Sequence, residues 1–360
     1  MENSSLIKRK KTKKISLGGV SIGGDSPIVV QSMTNTNTRD VKSTITQIKK
    51  LEKSGCEIIR IAVPDKKAVS VIPVLKKKIN IPLIADVHFN YLLAIDAMKY
   101  GVDGIRINPG NISKDKIKEI IKVAKERQIV IRIGINSGSL QKDLLLKYGS
   151  ATSDALVESA LKNIELFEDQ GFDLIKLSLK SSDVPSMIEA YRAISAKTNY
   201  PLHLGVTEAG SLINAAIKSS LGIGTLLYEG IGDTIRVSVT GSPVQEIPVA
   251  YGILRALNIR KVGPEIISCP TCGRCEIDLL KLTNKIEKAL SGKKDYLKVA
   301  LMGCVVNGPG EAADADIGIA GGKKQGILFK KGKAFKNVKE NDFVKVLLEE
   351  IKMIEERKLN

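Results

Sequence analysis

Eight apolar or β-branched runs recur along the chain, each followed by a stretch whose apolar residues return at helical spacing. The runs are Pro27–Thr34, Glu57–Val63, Ile81–Phe89, Gly104–Gly110, Ile129–Asn136, Asp173–Lys180, Pro201–Glu208 and Thr234–Gly241. Segments such as Val41–Lys53 and Ser153–Asp169 have the amphipathic pattern of helices between them. Strands alternating with helices predict a parallel sheet with right-handed crossovers. Eight such units in about 250 residues is the size of a (β/α)8 barrel. An open doubly wound sheet competes, but no G-x-G-x-x-G follows the first run.

The rhythm stops near Ala256, and "LNIRKVGPEI" reads as a short connection. Beyond it the pattern predicts a helix over Glu276–Leu290, strands in "LKVALMG" and "ADIGIAG", a hairpin at "GILFKKGKAF" and a terminal helix over Asp342–Arg357. The expected fold class is therefore α/β: a TIM-type barrel over residues 1–260, followed by a smaller α+β domain over 261–360.

Polar residues interrupt the barrel runs near their C-terminal ends, where barrel enzymes place their active sites. They are Arg60, Asp86 and His88, Arg106 and Asn108, Arg132 and Asn136, Lys176 and Lys180, His203 and Glu208, and Arg236 and Ser238. Parallel strands are buried on both faces and ordinarily read as continuous apolar runs. Four of these runs hold an arginine between apolar neighbours ("IIRIA", "GIRIN", "VIRIG", "TIRVS"). A buried guanidinium needs carboxylates or phosphates for its donors, and too few acidic residues share the runs. A small ligand with several negative oxygens, such as a diphosphate, resolves the imbalance. Glu208 and Asp86 are then the carboxylates at hand for proton transfer.

Composition narrows the classes. The 43% hydrophobic content and 31 glycines suit an α/β protein. No apolar run has the length of a membrane span, and the basic N-terminus has no apolar stretch behind it that would make it a secretory signal. Cysteine spacing that suits metal rather than disulfides points to the reducing cytoplasm. A net charge of +17 asks for an anionic partner. The chain lacks Trp and shows no basic stripe interleaved with aromatics, which argues against nucleic acid.

Cys269, Cys272 and Cys275 stand in "SCPTCGRCEID", and Cys304 lies in "MGCVVNGPGEA". C-x2-C alone suits a zinc knuckle, but no second pair completes a ribbon. Three closely spaced thiols with one remote ligand are how ferredoxin-type proteins grip a 4Fe–4S centre. Spacing therefore favours iron–sulfur with four thiolates. Cys56, in "KSGCEIIR", reads as a buried apolar thiol.

The segments "PIVVQSMTNT", "RINPGNI", "RIGINSGSL", "HLGVTEAG", "SCPTCGR" and "MGCVVNGPGEA" together resemble the 4-hydroxy-3-methylbut-2-enyl diphosphate synthases. These are iron–sulfur enzymes of the non-mevalonate isoprenoid pathway, here in their shorter two-domain bacterial form. The resemblance implies reductive ring opening of 2-C-methyl-D-erythritol 2,4-cyclodiphosphate with loss of water. It implies a 4Fe–4S cluster held by Cys269, Cys272, Cys304 and Glu311, which makes Cys275 a bystander. A carboxylate binds iron more weakly than a thiolate and can yield its place. The mechanism implied has Arg60, Asp86, Arg106, Asn108, Arg132, Asn136, Lys180, Arg236, Ser238 and Asn307 about the substrate, with Glu208 as proton donor. Flavodoxin or ferredoxin would supply electrons, and a homodimer would bring one chain's cluster domain over the other's barrel. The rival readings are a zinc-knuckle RNA-binding or RNA-modifying protein, and a redox-silent barrel lyase with structural cysteines.

Overall fold

The structure, a computed structural model, describes residues 7–304, 310 and 312–359. The chain divides into two compact units, Met1–Arg260 and Lys261–Asn360.

The first unit opens with a hairpin, β1 (Ile15–Leu17) and β2 (Val20–Ile22). Eight further strands follow: β3 (Val29–Met33), β4 (Ile58–Ala62), β5 (Leu83–Asp86), β6 (Gly104–Ile107), β7 (Val130–Asn136), β8 (Ile175–Lys180), β9 (His203–Leu204) and β10 (Thr234–Ile235). They pair in parallel in the order β8-β7-β6-β5-β4-β3-β10-β9. A bridge between Leu177 and Leu202 joins β8 to the segment entering β9 and closes the ring. Each predicted barrel run contains a strand, though β9 and β10 are only two residues long, and the fold is a (β/α)8 barrel.

The intervening helices carry their own start and stop signals. Val41–Ser54 begins where the Asp40 carboxylate accepts from the Ser43 amide at 3.0 Å, and it ends at Gly55 with φ +101°. Such a side-chain cap contributes about 1 kcal/mol. The left-handed terminus suits glycine, which has no Cβ to clash.

The opening hairpin was absent from the predicted elements. Ile15, Leu17 and Ile22 pack against Val29, Ile58, Ile84 and Val130, which are the first inward residues of their strands. The hairpin thus plugs the N-terminal end of the barrel. Its signal was present in "ISLGGVSI", where alternating apolar residues flank a glycine pair. Gly18 and Gly19 take φ of +54° and +88° to make that turn.

The second unit holds a five-stranded sheet, β11 (Pro264–Ser268), β12 (Leu297–Met302), β13 (Ile317–Gly322), β14 (Gln325–Lys330) and β15 (Lys333–Lys339), in that spatial order. The first three strands run parallel and the last two antiparallel. Helices Leu279–Leu290 and Phe343–Leu359 cover one face, with Leu282, Ile286, Leu347 and Ile351 buried against Val299, Leu301 and Ile319. The expected connection over "LNIRKVGPEI" is corrected here, because its end enters β11. That strand has a neighbour on one side only and its residues stay half-buried, so it lacks the strong apolar pattern of the others.

Candidate functional site

Alternate residues of each barrel strand face inward, and the register fixes which of them meet. Ala62 pairs with Asp86, Asp86 with Arg106, Arg106 with Arg132, and Arg132 with Lys176. One inward row therefore reads Asp86–Arg106–Arg132–Lys176 across four adjacent strands. Asn136 and Lys180 are register partners in a row nearer the C-terminal rim. Arg60, Asp86, Arg106, Asn108, Arg132, Lys176, Lys180 and His203 are all buried.

The interior holds more cations than carboxylates. Asp86 lies 3.2 Å from Arg106 Nη1 and 3.7 Å from Arg60 Nε. Burial alone would raise its carboxyl, but the Arg60 charge, a contact to His88 and the Arg106 and Arg132 charges together hold it well below the usual carboxylate range. Glu246, on helix Glu246–Ala256, sits 3.4 Å from Arg236 Nη2 and accepts from Ser32 Oγ at 2.7 Å. Arg132, Lys176 and Lys180 have no carboxylate within ion-pair distance among the described residues. Burial and the surrounding arginines push Arg132 well below its ordinary value and Arg60 down to about 10. Burial, with Arg236 and Arg132, does the same to Lys180.

Many donors in this ring have nothing to bond. Arg106 Nε, Arg132 Nε and Nη1, Lys176 Nζ and Arg236 Nε are sealed from solvent without a partner among the described residues, as are the polar atoms His203 Nε2 and both amide ends of Gln31. A buried unpaired donor costs about 1–3 kcal/mol, and more when charged. Such a concentration of them makes the barrel interior the candidate site for a ligand that brings acceptors.

Two glycines make room for the cations. A Cβ on Gly134 would stand 2.4 Å from Arg106 Nε, and one on Gly205 would stand 2.6 Å from Lys180 Nζ. Asn108 donates to Ser139 Oγ at 2.7 Å, and Arg106 Nη1 donates to His88 Nε2 at 3.0 Å. With the Asn136 amide turned to satisfy both of its ends, its oxygen accepts from Arg106 Nη2 at 3.0 Å. Ser238 is half-buried beyond β10. Gln31, Glu246, Gly134 and Gly205 were missed in the sequence. The legible signals were a lone amide in an apolar run and glycines inside strands.

Glu208 is exposed beyond β9 and holds φ +53°. The other left-handed non-glycine residues among the described ones, Gln128, Asn258, Lys324 and Lys331, lie at helix ends or in hairpin turns. Glu208 has no such local reason. Strained backbone of this kind concentrates at functional sites.

In the second unit, Cys269 follows the end of β11, and its amide bonds to Leu301 O at 3.3 Å. The Gly303 amide donates to Cys269 Sγ at 3.2 Å, and Cys304 is the next residue. Cys272 is exposed, while Cys269, Cys275 and Cys304 are half-buried. Cys275 faces its own backbone: Sγ donates to Ile277 O at 3.2 Å, and a Cβ on Gly303 would lie 2.5 Å from that sulfur. Among the described residues no three His, Cys, Asp or Glu side chains converge as a metal-holding group. Asn307 and Glu311 lie outside the described residues. Cys56 is the buried thiol expected, pushed up to about 12 by burial. No described helix is long and apolar enough to cross a membrane.

Comparison with known proteins adds identity to this geometry. The GcpE TIM-barrel domain family matches residues 12–251, and the GcpE protein C-terminal domain family matches residues 265–353. A protein of Thermodesulfovibrio yellowstonii named 4-hydroxy-3-methylbut-2-en-1-yl diphosphate synthase (flavodoxin) is 58% identical, over 96% of this chain and 100% of that one. A protein of Clostridium tetani with the same name is 60% identical, over 96% and 99%. Among solved structures, dihydropteroate synthase from Stenotrophomonas maltophilia superposes with a TM-score of 0.51 at 12% identity, covering 69% of this chain and 97% of that one. At that identity the likeness concerns the barrel fold alone. With both domain families matched in order and relatives of this identity along nearly its whole length, the chain belongs to the GcpE family.

Proposed function

We propose that this chain opens and dehydrates 2-C-methyl-D-erythritol 2,4-cyclodiphosphate, with two electrons from flavodoxin, to give 4-hydroxy-3-methylbut-2-enyl diphosphate and water. The observation that carries this reading is the ring of inward cations whose donors lack protein partners. A cyclic diphosphate presents several anionic oxygens in a small volume, as that ring requires. The curated relatives bear the name of this synthase and of flavodoxin. No comparison favours the RNA-binding alternative.

In this reading Arg60, Arg106, Arg132 and Lys180 hold the diphosphate oxygens. Asp86 fixes the directions of Arg60 and Arg106 without cancelling the site's charge. Asn108, Asn136, Arg236 and Ser238 orient the carbon skeleton, and Asn307 is placed with them by resemblance. Glu208, at the rim on a strained turn, supplies the proton with which the hydroxyl leaves as water.

Cys269, Cys272 and Cys304, with Glu311 as fourth ligand, would hold a 4Fe–4S cluster. The donor set fits: thiolates suit iron–sulfur groups, and the Gly303 amide aimed at Cys269 Sγ is the kind of hydrogen bond that tunes them. When bound, the cluster delivers single electrons. The inward packing of Cys275 supports its exclusion from the ligand set. A homodimer completes the reading; the exposed Ile213, Ile217, Leu221 and Tyr228 on helix Leu212–Tyr228 offer apolar surface that such a contact would bury.

The test is anaerobic purification, analysis of iron, sulfide and zinc, and turnover of the cyclodiphosphate with reduced flavodoxin. About four irons and four sulfides per chain with product formation are expected. One zinc, no sulfide and no turnover would overturn the reading.

A further inference from the structure

Lys176 is the one inward cation on β8 that lies below the rim rows, level in register with Arg132. It is completely buried, and its Nζ has no hydrogen-bond partner among the described residues. Charged groups reach it from several sides. Arg132 on β7 and Arg60 on β4 oppose its charge. His203 on β9, itself fully buried, bonds Thr234 Oγ1 at 2.8 Å through Nδ1 and leaves Nε2 unpartnered. Asp233, just before β10, is the carboxylate that favours the Lys176 charge. It is already engaged by Arg9 at 3.3 Å, Thr12 Oγ1 at 2.8 Å and the Leu202 amide at 2.9 Å.

We propose that Lys176 takes up a proton when the anionic substrate binds, so that the barrel meets the substrate with more positive charge than it carries without it. The proposal rests on the substrate reading above and adds a positioning residue to it. In the empty barrel, burial first and the Arg132 charge second push the Lys176 ammonium down to about 7. A diphosphate on Arg106 and Arg132 offsets the positive field at Nζ and brings negative charge into a medium of low dielectric, which raises the lysine's proton affinity. Holding the lysine only partly charged lessens the repulsion among the ring's cations.

The sign follows from linkage. A group whose proton affinity is higher in the complex binds a proton on association at pH values between its empty and bound values. Affinity then weakens as pH rises from about 7, by up to about tenfold per pH unit for each proton. The ligand does not confuse the reading, because its ring phosphates lack the second ionisation that a phosphate monoester shows near neutrality.

The experiment is calorimetric titration of the full-length, anaerobically purified protein with the cyclodiphosphate at about pH 8, in buffers of different ionisation heat. The wild type is expected to take up about one proton or more. Lys176→Met, and Lys176→Gln as a second variant, are expected to take up about one fewer. Binding whose heat is the same in every buffer overturns the proposal while leaving the substrate reading intact. Variants that take up as many protons as the wild type overturn the assignment to Lys176 and move it to Lys180 or His203. Absence of any binding removes the substrate reading and this inference together.

Discussion

At its N-terminal end the barrel is filled by Ile15, Leu17 and Ile22 packed on Val29, Ile58, Ile84 and Val130, whereas two residues further along the same strands stand Arg60, Asp86 and Arg132. The lower layer is ordinary core, stabilised by apolar area removed from water. The layer above it is costly, because it buries like charges beside donors that have no partner among the described residues. The contrast teaches where stability and function reside. The plug and helices hold the strands in register, and the register then forces together cations that would otherwise separate.

Substitutions at the rim and in the two layers should separate these roles. The largest effect is expected for Glu208→Gln, with kcat falling about 10²–10⁴-fold and KM unchanged in steady-state turnover. Normal turnover would end its role as proton donor. Leu17→Ala, in the plug, should destabilise by about 2–5 kcal/mol in denaturant unfolding, while leaving substrate affinity nearly intact. Arg132→Met should act in the opposite sense and stabilise the empty protein by about 1–4 kcal/mol, seen as a higher midpoint of thermal unfolding. A loss of stability there would mean that the chain satisfies Arg132 after all.

Gly134→Ala tests the close approach. Its Cβ would meet Arg106 Nε at 2.4 Å, so overpacking should cost about 1–3 kcal/mol and raise KM by displacing that arginine. The smallest effect is expected at Cys275 in the other unit. Cys275→Ser should retain iron content and turnover, whereas Cys269→Ser should lose the iron. Loss of the cluster from both would restore the four-thiolate set that spacing alone suggests.

The barrel was legible because eight β-branched runs with helical segments between them are a strong, long-range repeat. The arginines were legible as candidates because they break apolar runs that a parallel sheet otherwise requires. Their arrangement was not, since which of them meet depends on a register that no local pattern encodes. Asp86 and Arg106 are 20 residues apart in sequence and 3.2 Å apart in space. Glu246 escaped for a similar reason: its helix carries it back to Arg236 and Ser32, and nothing around "PVQEIP" announces that return. In the second unit, β11 was obscured by its place at the sheet edge. The proposed iron ligand set rests on resemblance alone, because a lone glutamate such as Glu311 in "NGPGEA" has no spacing that marks it as a ligand.

The most direct test is calorimetric titration of the anaerobically purified protein with 2-C-methyl-D-erythritol 2,4-cyclodiphosphate, beside Arg132→Met under the same conditions. Saturable binding by the wild type, weakened by about 2–5 kcal/mol in the variant, is the expected result. Equal affinity in the two proteins, or no binding by the wild type, would contradict the assignment of the buried cations to the diphosphate.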